Sequence, residues 1–353
     1  MTTPVMHMLP SPEADSMSAS AEVATPRRAR RSLGRDLGTD RFAGLYVAVT
    51  LATVFSIWNP DTFGTISNAR VIAASAAITG ILTLGLTVSL LAGMFDVSIA
   101  ANMSLAISLV GWLQSEHGLN PLLAVVLTLA AGAAVGATNA LVITRLHVEP
   151  VIATLGMSSI LAALAYWIAA GNTILDGISP TFKDFGSAKL LTIPVPVFYL
   201  AGVALVLWYL LEHTPTGRYL YATGSNVNAA RLAGLRVVRL QWGALIIAGT
   251  LAAFAGIVLT MQLGASSFGA GGPYLLPAFA AAFLGSTQVR PGRFNVGGTL
   301  VALYLMAIGV KGLQLQYPSL PWIKDLFEGV ALIIAVALGA RAALRRSRRS
   351  ATA

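Results

Sequence analysis

Long apolar stretches, broken by short polar ones, set the pattern of this chain. Ten of them approach the roughly 20 residues that a helix needs to cross a bilayer core; they fall at about 42–58, 71–91, 97–114, 121–143, 151–170, 194–211, 241–263, 274–286, 294–313 and 325–340, the eighth being short. Ala, Gly, Ser and Thr are mixed among Leu, Val and Ile, without the apolar/polar alternation in ten-residue segments that marks a membrane barrel. The pattern therefore predicts an all-α polytopic membrane protein with about ten transmembrane helices.

Composition agrees. Of 353 residues, 56% are hydrophobic and 10% charged, where a soluble domain carries about 25% charged residues; the mean hydropathy is +0.74. Ten spans put both termini on one side, and the basic residues indicate which. One face would hold Arg27, Arg28, Arg30, Arg31, Arg35, Arg41, Arg145, Arg218, Arg231, Arg236, Arg239, Arg290, Arg293, Arg341, Arg345, Arg346, Arg348 and Arg349, the other only Arg70, Lys183, Lys189, Lys311 and Lys324, a split of 18 to 5. The expectation is that both termini are cytoplasmic. Anionic inner-leaflet lipid, at about 1 kcal/mol per basic residue near the surface, then accounts for the net charge of +9 without nucleic acid.

Residues 1–40 are rich in Ser, Ala, Pro and Arg and have no long apolar run. They read as a disordered cytoplasmic tail, since a cleaved signal peptide would need its apolar stretch near the start. A membrane domain over 41–344 follows, then a basic tail over 345–353.

Several chemistries are unsupported. There is no cysteine, and no Gly-Lys pair from which a nucleotide-binding P-loop could be built. His7, His117, His147 and His213 are far apart, and neither His-Glu-x-x-His nor Gly-x-Ser-x-Gly occurs. No catalytic residue, metal site or cofactor is expected, and the chain reads as a non-enzyme.

The longest polar interruption is Thr214 to Gly234, inside a predicted cytoplasmic connection over 213–240. Pro215 and Thr216-Gly217-Arg218 follow the sixth stretch, Gly224-Ser225-Asn226 reads as a turn, and Asn228 is placed to cap a short helix running to about Leu235. Ala229, Ala230 and Ala233 are small enough to admit another surface, and Arg231, Arg236 and Arg239 give a positive border. On these grounds alone the strip is either a solvated amphipathic connector or a docking surface.

Asn228-Ala-Ala-Arg-Leu-Ala-Gly234 resembles the Ala-Ala-x-x-x-Gly core of the coupling motif in permease subunits of ATP-binding-cassette importers. The longer string, with Thr214, Gly217-Arg218, Tyr221-Ala222, Gly224-x-Asn226, Ala229-Ala230-Arg231-Leu232 and Gly234, is similar to that loop in the ribose/xylose/galactoside branch. The resemblance implies a plasma-membrane permease for a small-molecule sugar, docked to separate ATPase subunits through Gly217, Arg218, Gly224, Asn226, Asn228, Ala229, Ala230, Arg231 and Gly234. It also implies an extracytoplasmic substrate-binding protein, and a second permease copy or paralogue in a dimer.

Further segments share the likeness. Gly93-Met-Phe-Asp96-Val-Ser98-Ile99 is similar to the family's Gly-Gly-Ile-Asp-Leu-Ser-Val-Gly, and Asp96 is the only acid between Asp61 and Glu116. A carboxylate at the bilayer centre costs about 2.5–3.5 kcal/mol on the insertion scale, so Asp96 belongs near an interface or a cavity. It either caps the third span through the backbone near Ser98 or serves in gating. Gly136-Ala-Thr-Asn139 and Val148-Glu-Pro150 through Thr154-Leu-Gly156-Met157 also match. The Gly132/Gly136 pair and the Ala252/Gly256 pair have the spacing of close helix packing in lipid. Asn139 needs partners wherever it is buried, either a neighbouring helix or a sugar hydroxyl. Asp96, Ser98, Asn139 and Thr154 are thus the expected translocation-pathway residues.

Residues 269–299 follow the family at Tyr274, Ala278, Ala280, Ala281, Gly285, Thr287, Gly298 and Thr299, but Leu275 and Pro277 stand where it usually has two acids, and the turn from Gln288 to Asn295 is basic. Cargo could therefore instead be a branched-chain amino acid or nucleoside. An ion-coupled secondary transporter would need ionisable groups within the spans, and Asp96 is the one candidate. A scaffold without transport would leave the strip from Thr214 to Gly234 unexplained.

Overall fold

Polar caps and prolines fix where each apolar stretch becomes a helix. In the computed structural model, which describes residues 39–351 and side chains over residues 42–337, Thr65 accepts from Asn68 N before α2, Asn120 from Leu122 N before α4, and Glu149 from Ile152 N before α5. Pro121 and Pro150 occupy first-turn positions of α4 and α5, where a missing N–H costs nothing and φ is already helical. The ten main helices are α1 Thr39–Trp58, α2 Ile66–Leu91, α3 Ile99–Ser115, α4 Pro121–Arg145, α5 Pro150–Ile168, α7 Val195–His213, α10 Val237–Leu263, α11 Leu275–Gly285, α12 Val296–Gln316 and α13 Ile323–Ala351. Short helices α6 (Pro180–Ser187), α8 (Pro215–Ser225) and α9 (Val227–Leu232) lie in the connections. The tail expected before the first helix falls, for residues 1–38, outside the described residues; the backbone of α13 runs through most of the basic segment expected at the other end.

The protein is an all-α membrane protein, and each of the ten apolar stretches coincides with one of the ten main helices. Among the described residues six of these, α2, α4, α5, α7, α10 and α12, are long and apolar enough to cross a membrane. The eighth stretch is a turn of 3-10 helix (Gly272–Tyr274) followed by the 11-residue α11; at 1.5 Å per residue, that is roughly 20 Å against a hydrocarbon core of about 30 Å. The only strands described are two-residue ladders, β1 (Thr173–Ile174) with β4 (Ser266–Ser267) and β2 (Lys189–Leu190) with β3 (Ile193–Pro194).

α2 and α10 form the centre, mostly buried, whereas α4, α5 and α7 turn most of their residues outward. Leu122, Ile152, Trp167 and Leu205 are exposed apolar side chains of these outer helices, the surface that a lipid-facing helix presents. Small residues make the central crossing possible. A Cβ on Gly136 would lie 2.2 Å from the Leu245 carbonyl oxygen, and one on Gly249 would lie 2.3 Å from that of Gly132. The expected packing pair Gly132/Gly136 of α4 therefore meets the backbone of α10 directly. Asn102 of α3 donates to the carbonyls of Gly249 (3.1 Å) and Gly132 (3.5 Å), pinning the third helix to that crossing.

Connections gather into two sets. In one, Gly224 of α8 closes on Leu91 and Gly93, Tyr221 Oη donates to Phe294 O at 2.8 Å, Arg290 pairs with Glu212, and Thr154 Oγ1 donates to Phe95 O at 3.2 Å. In the other, β1 pairs with β4, Ser179 N donates to Gln114 Oε1 at 3.3 Å, and Asn59 Nδ2 donates to Gln316 Oε1 at 2.7 Å.

Candidate functional site

The polar strip folds as two short helices at a corner. Thr214 accepts from Gly217 N (3.4 Å) and starts α8; Asn226 accepts from Ala229 N (3.0 Å) and starts α9. The cap is thus Asn226 and not the expected Asn228, which lies inside α9. Gly224-Ser225 lies at the end of α8, and α9 stops at Leu232 rather than near Leu235, with Gly234 at φ +81° beyond it. The substitution follows from geometry, because a cap must accept from an N–H two or three residues ahead, and Asn226 reaches one there.

The strip residues divide into two groups. Gly217 and Gly224 are close-approach positions, where a Cβ would lie 2.1 Å from Leu211 O and 2.2 Å from Leu91 O. Ala230 is buried within the chain, so it is not part of the surface expected to admit a partner. Arg218, Asn228, Ala229, Arg231, Ala233 and Gly234 face outward. With them is Leu232, 92% exposed, an apolar side chain on a polar helix that the sequence reading passed over; its signal was one large apolar residue inside Ala-Ala-Arg-Leu-Ala-Gly. Arg293 sits over the Tyr221 ring, 5.8 Å from its centroid. Burial, then the Glu212 charge, pushes the Tyr221 phenol up to about 12 against the pull of Arg290 and Arg293, so its O–H remains a donor at physiological pH.

Three of the four expected pathway residues, Asp96, Ser98 and Asn139, meet in one network, and Thr154 holds the same connection through the backbone of Phe95 and Val97. Ser98 donates to Asp96 Oδ1 from both its N (3.0 Å) and its Oγ (2.6 Å), and that Oγ accepts from Asn139 Nδ2 at 2.8 Å. Thr154 Oγ1 lies within hydrogen-bond distance of Val97 N (3.1 Å), Phe95 O and Pro150 O. All four side chains are buried, and these bonds tie the connection between α2 and α3 to α4 and α5. Asp96 accepts from the backbone N of Ser98, as expected, but Ser98 itself is the N-cap of α3, so the carboxylate closes a turn just before the helix and does not cap it; Asn139 donates to that same Ser98.

Burial holds the Asp96 carboxyl above the usual carboxylate range, opposed by the side-chain and then the backbone hydrogen bond of Ser98. A raised acid pKa contributes stability that is complete below the unfolded value and lost as pH rises through the folded one. Asp96→Asn keeps an acceptor for Ser98 without the charge. Its thermal midpoint in detergent is therefore expected to gain on wild type as pH rises above the ordinary carboxylate value of about 3.9, and an offset that stays constant at every pH above that value would refute the account.

A cavity of about 330 Å³ lies elsewhere, between α2, α11, α12 and α13. It runs from Ala281 and Leu303 near the middle of α11 and α12 towards Lys311, Gln314 and Lys324, on the side of the connections that include Asn59 and Gln316. Pro277 and Tyr274 both line it. None of Asp96, Ser98, Asn139 or Thr154 lines it.

Residues 68–336 match the family described as branched-chain amino acid transport system / permease component. The chain is 35% identical over 298 residues to the ribose import permease protein of Bacillus subtilis (strain 168), covering 84% of this chain and 91% of that one. It is 31% identical over 299 residues to the ribose import permease protein of Escherichia coli (strain K12), covering 83% and 91%. With the fructose import permease protein of Rhizobium meliloti it shares 30% over 303 residues, 83% of each chain. No solved structure matches the chain.

Proposed function

The chain belongs to this family of transport-system permease components, and from that premise we propose that it is the membrane subunit of an ATP-binding-cassette importer that carries a monosaccharide across the plasma membrane. The observation that carries the motor assignment is the α8–α9 corner, whose outward face presents Asn228, Ala229, Arg231 and a fully projecting Leu232. The chain has no P-loop of its own, so separate ATPase subunits supply the energy and engage this face. A binding protein delivers the sugar from the opposite side, and a second permease copy or paralogue completes the pathway. Relatives named for ribose and fructose import support the cargo.

The connections support a topology. Successive ones alternate between the two sets, which supports ten crossings; α11 completes its crossing with its flanking residues. The set with Arg218, Arg231, Arg236, Arg239, Arg290 and Arg293 is then cytoplasmic, as are both termini, the leading tail over residues 1–40 and the basic end over 345–353, with the coupling loop over 213–240 projecting from a membrane domain over 41–344.

Gly224 packs on Leu91 and Gly93, three residues before Asp96. A shift of α8 and α9 would push the connection between α2 and α3, and the bonds of Ser98 to Asn139 and of Thr154 to Phe95 O and Val97 N would pass that push to α4 and α5. The four expected pathway residues thus act in this reading as a lock at the cytoplasmic end. ATP shifts the equilibrium only in so far as the motor contacts the two states differently.

In proteoliposomes that contain this chain, the ATPase and the binding protein, uptake of D-ribose is expected to require ATP and to continue after ionophores collapse the ion gradients. Uptake driven by a gradient without ATP would replace this reading by a secondary transporter. The family description favours a second cargo, a branched-chain amino acid, and leucine in place of D-ribose in the same vesicles decides between them.

A further inference from the structure

The 330 Å³ cavity carries charges that neither the sequence pattern nor the coupling corner accounts for. Glu328 of α13 is 4% exposed, and among the described residues its one ionic partner is Lys324, one turn earlier, at 3.9 Å. That is a long contact, with the lysine on the N-terminal side, the less favourable order on a helix. Lys311 enters from α12 and pairs with no acid among the described residues. Thr79, Tyr274 and Gln314 add neutral polar groups.

Buried polar groups normally have partners. A carboxylate offers about four acceptor sites and an ammonium three donors, and one loose ion pair leaves most of them unused. Hydroxyl groups match both sets, since each donates to a carboxylate and accepts from an ammonium. An anion would be drawn to Lys311 and Lys324 but repelled by Glu328, whereas a solute that both donates and accepts can use all three. The volume lies at the lower end of ordinary ligand cavities, about 300–1,000 Å³, which suits a solute of one sugar ring. We propose that Glu328 and Lys311 form a hydroxyl-recognising site for a neutral polyhydroxylated solute on its way through this subunit. The inference rests on the importer reading above and assigns cargo contact to α12 and α13.

The chain has no cysteine, so single ones report without background. Gln314→Cys, at the cavity's rim, is expected to react from outside with a charged, membrane-impermeant thiol reagent, and Ile333→Cys, on the outward face of α13 (71% exposed), to stay unreactive in the bilayer. D-ribose at tens of millimolar, a range chosen for a weak site with a Kd of about 10 mM, is expected to slow the reaction at position 314. Adding Glu328→Gln or Lys311→Met is expected to raise the half-protecting concentration about tenfold, equivalent to one good interaction; co-purification with the ATPase checks that the variants fold. Should the same vesicles import D-ribose with ATP while the sugar gives no protection, or protection be indifferent to both substitutions, the site is refuted and the importer reading stands. If wild type imports neither D-ribose nor D-fructose, the monosaccharide reading fails and takes the site with it.

Discussion

Leu232→Asp is expected to abolish co-purification of this chain with its ATPase subunits and to reduce ATP-driven uptake to background, while the variant itself folds normally. Leu232 is 92% exposed at the end of α9, so its side chain supports nothing within the subunit. Burying such a leucine at an interface contributes about 1.5–3 kcal/mol, and interface anchors cost 2 kcal/mol or more when lost. A carboxylate placed there must in addition be desolvated, so affinity should fall by well over about a hundredfold. Thermal unfolding of the isolated variant provides the control. Ala230→Trp is the opposite experiment, because Ala230 is buried and a large ring there disrupts the corner itself, losing assembly and stability together. Normal assembly and uptake with Leu232→Asp would remove α9 as the docking element.

That contrast shows what the sequence could carry and where it stopped. An Ala-Ala-x-x-x-Gly string announces a small-residue helix, but which alanine faces out depends on how α9 rotates against α8, and the Asn226 cap sets that rotation. The apolar stretches were legible as helices because burying backbone in lipid forces long apolar runs; even the eighth, read as short over 274–286, has its counterpart in the 3-10 turn and α11. Asp96, Ser98, Asn139 and Thr154 were picked out from segments that resemble the family's motifs and grouped as pathway residues. That they converge on one connection follows from the same physics, since each needs a partner in a medium that offers no water. Whether they line a path or lock a joint depends on packing over intervals of 41 and 57 residues, which no local pattern encodes. The tenth stretch read as a plain span starting at Asp325, and Glu328 was passed over in it, although it reaches the cavity that Pro277 lines.

Gly136→Leu is expected to prevent the chain from folding, and Gly136→Ala to lower its thermal midpoint sharply in detergent. Even the single methyl of alanine would sit 2.2 Å from Leu245 O and 2.8 Å from its carbonyl carbon. These are backbone atoms of a helix and cannot rotate aside, so α4 and α10 must part by more than an ångström. Parting them also draws Gly132 O and Gly249 O away from Asn102, whose amide donates to both, and leaves a buried donor without an acceptor at about 1–3 kcal/mol. Overpacking adds about 1–3 kcal/mol, so together the two losses approach the whole stability of a marginal fold, about 5–15 kcal/mol. Gly202→Ala supplies the comparison. It faces outward on α7 with nothing within 4 Å of a new Cβ, and relieving a mid-helix glycine there favours the helix by about 1 kcal/mol. One methyl group is therefore expected to move stability in opposite directions at two glycines of the same membrane domain. Equal effects at both would mean that the α4–α10 crossing is not the tight backbone contact from which the central fold is built. Since α10 follows directly from the α8–α9 corner, a loosened crossing is also expected to uncouple uptake from ATP in whatever Gly136→Ala protein still folds.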